Sequence, residues 1–330
     1  MTRTPENPAA LTVVVAFSAN LGVAVAKTVA AVLTGSAALV AEAAHSWADT
    51  GNQVFLFRAE RSSRVGSEER PVGSGREAYV WSLFAALGLF VAGGVVSIFH
   101  GASSLGSREP ATHTGIGYVV LAIALVLEGA SLVQALSRTR TEADALGRDT
   151  LEHALRTSDP TLRAVLAEDG VAVLGVLVAA AGLLLHQVTG DARYDAAASI
   201  VIGLILCAVA VVLIDRNRRF LTGQVADPAV IRGALDRLHR IDGIAEVGYL
   251  RLEFVGPHQL LLVAAVDLTG DDPESRVAVR LRDLEREVEE DPNIVEAVLT
   301  LMVPGEPLPA GHVTGQVAGQ VAGRASTSHG

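Results

Sequence analysis

The sequence predicts an α-helical membrane protein, in which a six-helix transmembrane bundle is followed by a small cytosolic α+β domain. The chain of 330 residues is 50% hydrophobic and only 19% charged, which is too apolar for an ordinary soluble domain. Six apolar stretches approach the length of about 20 residues that a spanning helix needs. After the sixth stretch the periodicity changes to that of short helices and strands.

The six predicted spans begin close to the N-terminus. The first is too long, and too close to the second, to be a cleaved signal peptide, so we expect it to stay in the protein. The single cysteine, Cys207, lies in an apolar run, which excludes a disulfide framework and a thiolate zinc cluster. The predicted spans cover residues 10–33, 37–57, 78–100, 115–136, 161–185 and 194–214.

Arginine is distributed unequally between the two sides of these spans. On one side, the loops and the exit of the sixth span have thirteen arginines, and the loops on the other side have two, Arg108 and Arg193. Because positive residues accumulate on the cytoplasmic side, both termini are predicted to be cytoplasmic, in a multi-pass protein of a bacterial-type inner membrane. The thirteen are Arg58, Arg61, Arg64, Arg70, Arg76, Arg138, Arg140, Arg148, Arg156, Arg163, Arg216, Arg218 and Arg219.

The residues after the sixth span predict a two-layer domain of about 80 residues. Helices are predicted at 227–240 and 273–290, and strands at 245–255, 260–268 and 294–303, with a turn at Gly256 and Pro257. This α-β-β-α-β order resembles the ferredoxin-like metallochaperone domains. The predicted domains are an N-terminal cytosolic segment (1–9), the transmembrane domain (10–220), the cytosolic dimerisation or regulatory domain (221–304) and a disordered tail (305–330).

Most of the negative charge of the chain belongs to this cytosolic domain. Residues 224–304 contain sixteen Asp and Glu against eight Arg, a net of −8 within a total of −10. Nucleic acid is excluded as a partner, because phosphate binding needs the opposite sign of charge. The acidic surface is either a solvated face or one that attracts cations.

A polar stripe interrupts the second apolar span, in the stretch EAAHSWADTGNQ. Its five polar side chains fall within an arc of roughly 100° on a helix. Such a stripe must face a protein interior or a wet cavity, because an ionisable group near the bilayer centre costs about 2.5–3.5 kcal/mol. His45 and Asp49 are one turn apart and can converge on one cation. The five residues are Glu42, His45, Asp49, Asn52 and Gln53; hydrogen bonding between helices is the better interpretation for the last two.

Charged residues in three other spans are possible partners of this stripe. Glu168 and Asp169 enter the membrane together at the start of the fifth span, about 100° apart, so only one can point squarely at a given site. Glu128 lies in the fourth span and Lys27, the single lysine of the chain, in the first. A structural ion pair between Lys27 and a carboxylate is the simplest interpretation of those two.

These residues resemble the cation diffusion facilitators. The resemblance rests on NLGVAVAK, TGSAALVAEAAHSWADTGNQ, six spans with both ends inside, and the α-β-β-α-β domain, and it covers about residues 8–304. It implies a homodimeric transporter that exports zinc or a related divalent cation by proton antiport, with the metal as substrate and with no cofactor. The ligands that it implies are His45 and Asp49 on the second helix and Asp169 on the fifth.

The chain departs from the usual family pattern at two places. Val165 stands where the family has a fourth ligand, which leaves Glu168 or a water for that role; the Glu168–Asp169 pair resembles a divergent branch of the family. Glu42, Glu128 and Asn52 are then expected to support the ligands or to line the entry. The cytosolic domain has only His239 and His258, so a binuclear zinc site is not expected there.

Ligand chemistry predicts the exchange of metal for protons. Imidazole and carboxylate bind metal only when unprotonated, and their reference pKa values are about 6.5 and about 3.9. His45 is the expected proton carrier, because its ordinary pKa is nearest neutrality. Zinc suits this set, although manganese, iron and cobalt accept similar ligands.

Two other function classes compete with metal transport. A proton-coupled carrier of sodium or an organic cation also fits buried carboxylates. An intramembrane hydrolase is disfavoured, because neither H-E-x-x-H nor G-x-S-x-G occurs, and the protein is not expected to be an enzyme.

The orientation can be tested by cysteine labelling in a Cys207→Ser background. A cysteine introduced as Thr314→Cys should stay unlabelled in intact cells by a reagent that cannot cross the membrane, because the C-terminus is predicted to be cytoplasmic. The control Ser107→Cys, in a loop on the opposite side, should be labelled. Labelling of the first variant in intact cells would overturn the orientation.

Overall fold

The computed structural model describes residues 8–62, 75–107, 112–145, 147 and 149–302. The side chains of 8–16, 60–62 and 145 are not described. The described chain forms two units, one containing 8–62 and 77–218 and the other 75–76 and 219–302. The predicted disordered tail at 305–330, and most of the predicted N-terminal segment at 1–9, lie outside the described residues.

The described residues of the first unit form helices joined by short connections. The third predicted span is one continuous helix with a π-helical segment at its middle, and a short helix that the sequence pattern did not predict precedes the fifth span. Asp149 caps that short helix by accepting hydrogen bonds from the backbone of Leu151 and Glu152. The elements are α1 (Pro8–Thr34), α2 (Ala37–Ser62), α3 (Glu77–Gly88), the π segment (Leu89–Val95), α4 (Val96–Ser104), α5 (Thr114–Ala145), α6 (Thr150–Arg156), α7 (Pro160–Thr189) and α8 (Arg193–Leu221).

Within the described residues, five helical stretches are long and apolar enough to cross a membrane, where six spans were predicted. The helix that does not qualify is α2, which carries the polar stripe. The count of six therefore stays a prediction. The qualifying stretches are Phe17–Thr34, Glu77–Ser104, Thr114–Asp144, Pro160–Thr189 and Arg193–Leu221.

The polar side chains that lower the hydropathy of α2 are buried. Glu42 and His45 have no exposed surface, and Asn52 is 1% exposed, whereas Trp47, Val54 and Phe57 lie at the surface. This helix is apolar outside and polar inside, the reverse of an amphipathic helix in a soluble protein. The polar stripe therefore faces the interior of the helical unit, as the cost of exposing charge to lipid requires.

Small residues bring the third and sixth predicted spans into close contact. A Cβ added at Gly203 of α8 would lie 2.8 Å from Gly94 O and 2.7 Å from Ile98 Cγ1, and a Cβ at Gly94 would clash with Cys207 Sγ. Ser199 on α8 also donates a hydrogen bond to Ser97 O at 2.9 Å. Glycine and serine thus let the two backbones approach closely, as is common between membrane helices.

In the described residues, the second unit forms a three-stranded sheet with two helices. The central strand β2 is antiparallel to β1 and parallel to β3. Every second residue of β2 is buried, so one face of the sheet forms the core. The elements are α9 (Pro228–Leu238), β1 (Ile244–Gly256), β2 (Gln259–Leu268), α10 (Glu274–Glu289) and β3 (Ile294–Leu301).

We expect Gly203→Ala to destabilise the protein, because it disturbs the close packing of α8 against the third predicted span. The new Cβ would also lie 2.9 Å from Ile98 N, and overpacking of this kind typically costs about 1–3 kcal/mol. We expect a lower melting temperature of the purified protein in detergent. The matched control is Gly22→Ala on α1, where a Cβ meets nothing within 4 Å; there the change should be neutral or mildly stabilising. Equal melting temperatures for the two variants would contradict the packing.

Candidate metal site

His45 and Asp49 lie side by side on the buried face of α2. His45 Nε2 is 3.3 Å from Asp49 Oδ2, but the groups are not aligned as a hydrogen bond. Both ring nitrogens of His45 and Asp49 Oδ1 therefore lack a hydrogen-bond partner among the described residues. Buried polar atoms are normally satisfied, so these unpaired atoms mark the pair as a place where a ligand can bind.

Glu168 faces α2 from α7. Its Oε1 accepts a hydrogen bond from Asn52 Nδ2 at 3.0 Å, and both side chains are buried. The hydrogen bond between helices that was expected of Asn52 is thus present. Asn52 is three residues after Asp49 on the same helix, so this hydrogen bond brings a carboxylate of α7 near the α2 pair.

Asp169 points to a different neighbour. Its Oδ2 accepts a hydrogen bond from Ser131 Oγ of α5 at 2.7 Å, in a more exposed environment than that of Glu168. Successive helix residues are about 100° apart, so one of the two carboxylates faces α2 and the other faces α5. Ser131 was not anticipated from the sequence, because a serine in an apolar span carries no distinctive signal.

The predicted ligands are neighbours but do not surround a single point. Within the part of the chain that the structure describes, no three side chains of His, Cys, Asp or Glu are arranged to hold a metal ion. Val165, which replaces the usual fourth ligand, is partly buried on α7 and cannot coordinate. The arrangement therefore provides one assembled pair on α2 and a third carboxylate, Glu168, on the facing helix.

A second charged cluster lies on the same face of α2. Lys27 Nζ of α1 donates to Glu42 Oε2 and to Glu128 Oε1, each at 2.7 Å. The ion pair expected of Lys27 is present, and it includes two carboxylates from two other helices. Glu42 is one turn before His45 and does not reach the His45–Asp49 pair by any direct contact that the structure shows.

Glycines place the neighbouring helices against this face of α2. A Cβ at Gly175 of α7 would clash with Glu42 Oε1, one at Gly88 would lie 3.0 Å from Asn52 Oδ1, and one at Gly93 would lie 3.9 Å from His45 Cα. The π segment that contains Gly93 thus packs directly beside His45. Glycines within apolar spans were the sequence signal that could have identified these approaches.

Residues 13–221 match the family described as the cation efflux transmembrane domain. The chain belongs to this family, the cation diffusion facilitators. The family description and the names of the relatives indicate transport, and they name no enzymatic activity.

Several curated relatives extend the match. The chain is 35% identical to metal tolerance protein C4 of Arabidopsis thaliana, over 72% of this chain and 52% of that protein. It is 31% identical to the human mitochondrial proton-coupled zinc antiporter SLC30A9, over 74% of this chain and 43% of that protein. It is 27% identical to the putative transporter MamV of Paramagnetospirillum magneticum, over 69% of this chain and 60% of that protein.

These matches cover only part of the length of the plant and human relatives. The chain spans about half the length of the plant protein and less than half of the human one. The family model matches the transmembrane region of this chain, residues 13–221.

The Asn52–Glu168 contact should contribute measurably to stability. In a double-mutant cycle with Asn52→Leu and Glu168→Met, we expect a coupling of about 1 kcal/mol, toward the upper end of the range for polar contacts between membrane helices. The measurement is unfolding of the purified protein in mixed micelles. The reference cycle, Ser131→Ala with Asp169→Met, concerns a more exposed pair and should give a smaller coupling. Additive effects of the two α2–α7 substitutions would show that the hydrogen bond does not hold these helices together.

Proposed function

We propose that the protein is a secondary transporter that exports zinc or a related divalent cation from the cytoplasm in exchange for protons. The observation that supports this proposal best is the buried His45–Asp49 pair, near Glu168 of the facing helix. Neither ring nitrogen of His45 has a hydrogen-bond partner in the described part of the chain. A relative is named a proton-coupled zinc antiporter and another a metal tolerance protein. Both names agree with a divalent cation as substrate.

The cation binds through His45 and Asp49 of α2 together with carboxylate from α7. Glu168 already faces α2, and Asp169 completes the set if its carboxylate leaves Ser131. The pair of acidic residues on α7 then provides the ligand that Val165 does not, as in the divergent branch that the sequence resembles. One imidazole with several carboxylates suits zinc, and it also accepts manganese, iron or cobalt.

Competition between protons and metal at these ligands provides the coupling. Imidazole and carboxylate lose their protons when a metal binds, and protonation of the same atoms releases the metal. If the site opens alternately to the two sides of the membrane, a proton gradient directed inward drives the metal outward. His45 is the proposed proton carrier within this set.

The surroundings of the site complete the proposal. Glu42, Glu128 and Asn52 do not bind the metal; Asn52 orients Glu168, and the two glutamates belong to the neighbouring cluster with Lys27. Both termini are cytoplasmic in an inner membrane, and the acidic cytosolic domain supports a homodimer. A carrier of sodium or an organic cation is the less favoured alternative, because neither substrate needs an imidazole ligand.

Transport by reconstituted variants tests the site. Asp49→Ala and Asp169→Ala should each reduce zinc uptake into proteoliposomes by at least about 100-fold, since each removes a ligand, and Glu168→Gln should be damaging as well. His45→Asp keeps a ligand without the imidazole, so it should retain part of the transport, prefer manganese, and shift its pH dependence to lower values.

The matched control is Glu142→Gln at the end of α5, where Glu142 pairs with Arg138 and His153 away from the site. It should transport at nearly the wild-type rate. Wild-type zinc transport by both Asp49→Ala and Asp169→Ala would remove the basis of the site assignment.

A further inference from the structure

The cluster of Lys27, Glu42 and Glu128 is an unusual ion pair, because one lysine meets two carboxylates. Lys27 and Glu42 have no exposed surface, and the side chain of Glu128 is 15% exposed. The three side chains come from α1, α2 and α5. A structural ion pair between membrane helices needs only one carboxylate, so the second one requires a separate explanation.

The second carboxylate gives the cluster an unbalanced charge. Two carboxylates and one ammonium group leave one uncompensated negative charge inside the helical unit. Burial of an unbalanced charge is costly, and a buried carboxyl group removes that cost by taking up a proton. Electrical neutrality of the cluster therefore requires one bound proton.

The structure also shows where such a proton can be held. Lys27 occupies one oxygen of each carboxylate, and the other two, Glu42 Oε1 and Glu128 Oε2, are buried without a hydrogen-bond partner among the described residues. Glu42 Oε1 lies against the backbone of α7, since a Cβ at Gly175 would clash with it. A charged carboxylate oxygen in this position has no donor to stabilise its charge, and a proton on the carboxyl group removes that charge.

We propose that the Lys27–Glu42–Glu128 cluster is a proton-binding site, and that it releases its proton when a cation binds at His45 and Asp49. The proposal rests on the proposed function, since it concerns the response of this cluster to the transported cation. The exchange then includes one proton that does not come from the metal ligands.

The two sites are close enough to influence each other. Glu42 precedes His45 by three residues on one helix face, so the two are adjacent on α2. Asp49 is within electrostatic range of Lys27 and Glu128, and His45 within range of Lys27. The other ionisable groups that face this region are Glu168 and Asp169 of α7, and Asp169 is in range of Glu128. Interactions of this kind are poorly screened inside a protein.

The direction of the coupling follows from the signs of the charges. A divalent cation at His45 and Asp49 adds positive charge beside the cluster, which disfavours the bound proton and favours the net negative form. The O–H bond of the protonated carboxyl group in the cluster breaks, the electron pair stays on the carboxylate oxygen, and the proton leaves. When the cation departs, a proton returns to the same oxygen and restores neutrality.

Calorimetry of zinc binding measures this proton directly. Zinc chloride is titrated into purified full-length protein near neutral pH, in buffers with different ionisation enthalpies, and the slope gives the protons released per zinc bound. Glu128→Gln preserves the shape and can still accept from Lys27, but it cannot hold the proton. We expect it to release about one proton fewer than the wild type, while Glu142→Gln on the same helix releases the wild-type number.

Infrared difference spectroscopy identifies the group that loses the proton. Zinc addition should remove a carboxylic acid C=O stretching band in the wild type, and that band should be missing from Glu128→Gln before zinc is added. If Glu128→Gln does not fold, Glu42→Gln tests the other carboxylate of the cluster with the same two measurements.

The outcomes separate this proposal from the proposed function. Zinc binding with wild-type proton release in both glutamine variants would overturn the proton site and leave the metal site intact. Absence of zinc binding to the folded wild-type protein would instead overturn the proposed function, and the role of the cluster with it.

Discussion

The membrane unit depends on one constraint, that an ionisable side chain is costly to leave in contact with lipid. Each such group costs about 2.5–3.5 kcal/mol near the bilayer centre on insertion scales. Lys27, Glu42 and His45 are accordingly fully buried. Lys27 meets this requirement by contacting α2 and α5 at once, so the interactions that shield its charge also determine which helices are neighbours of α1.

Burial of charge requires that the surrounding helices approach α2 closely. Gly88, Gly93 and Gly175 allow this, because a Cβ at each would contact a backbone or side-chain atom of α2. Apolar side chains meanwhile cover the outside of the unit, with Val32 78% exposed and Phe99 75% exposed. The buried position of the charged groups and the apolar surface of the unit have the same cause, because hydrocarbon takes the place of water around it.

The structure separates the ionisable groups into two clusters that share one face of α2. In the Lys27 cluster a cation of the protein itself compensates one of the two negative charges. The His45–Asp49 pair has no such internal cation in direct contact within the described structure, which leaves its ligand atoms available. A short separation in a poorly screened interior then links the protonation of one cluster to the occupancy of the other.

The sequence by itself determined the membrane class, the burial of the α2 stripe, the presence of a small sheet domain after the helices and the family. Hydropathy and periodicity carry that information locally. The tertiary structure decided that Glu168 faces Asn52 and Asp169 faces Ser131, because neighbouring residues differ by about 100° and only packing sets the rotation of α7. It also decided that Lys27 holds both Glu42 and Glu128, which are 15 and 101 residues away along the chain. Contacts between helices depend on how whole helices pack, and no local pattern specifies that.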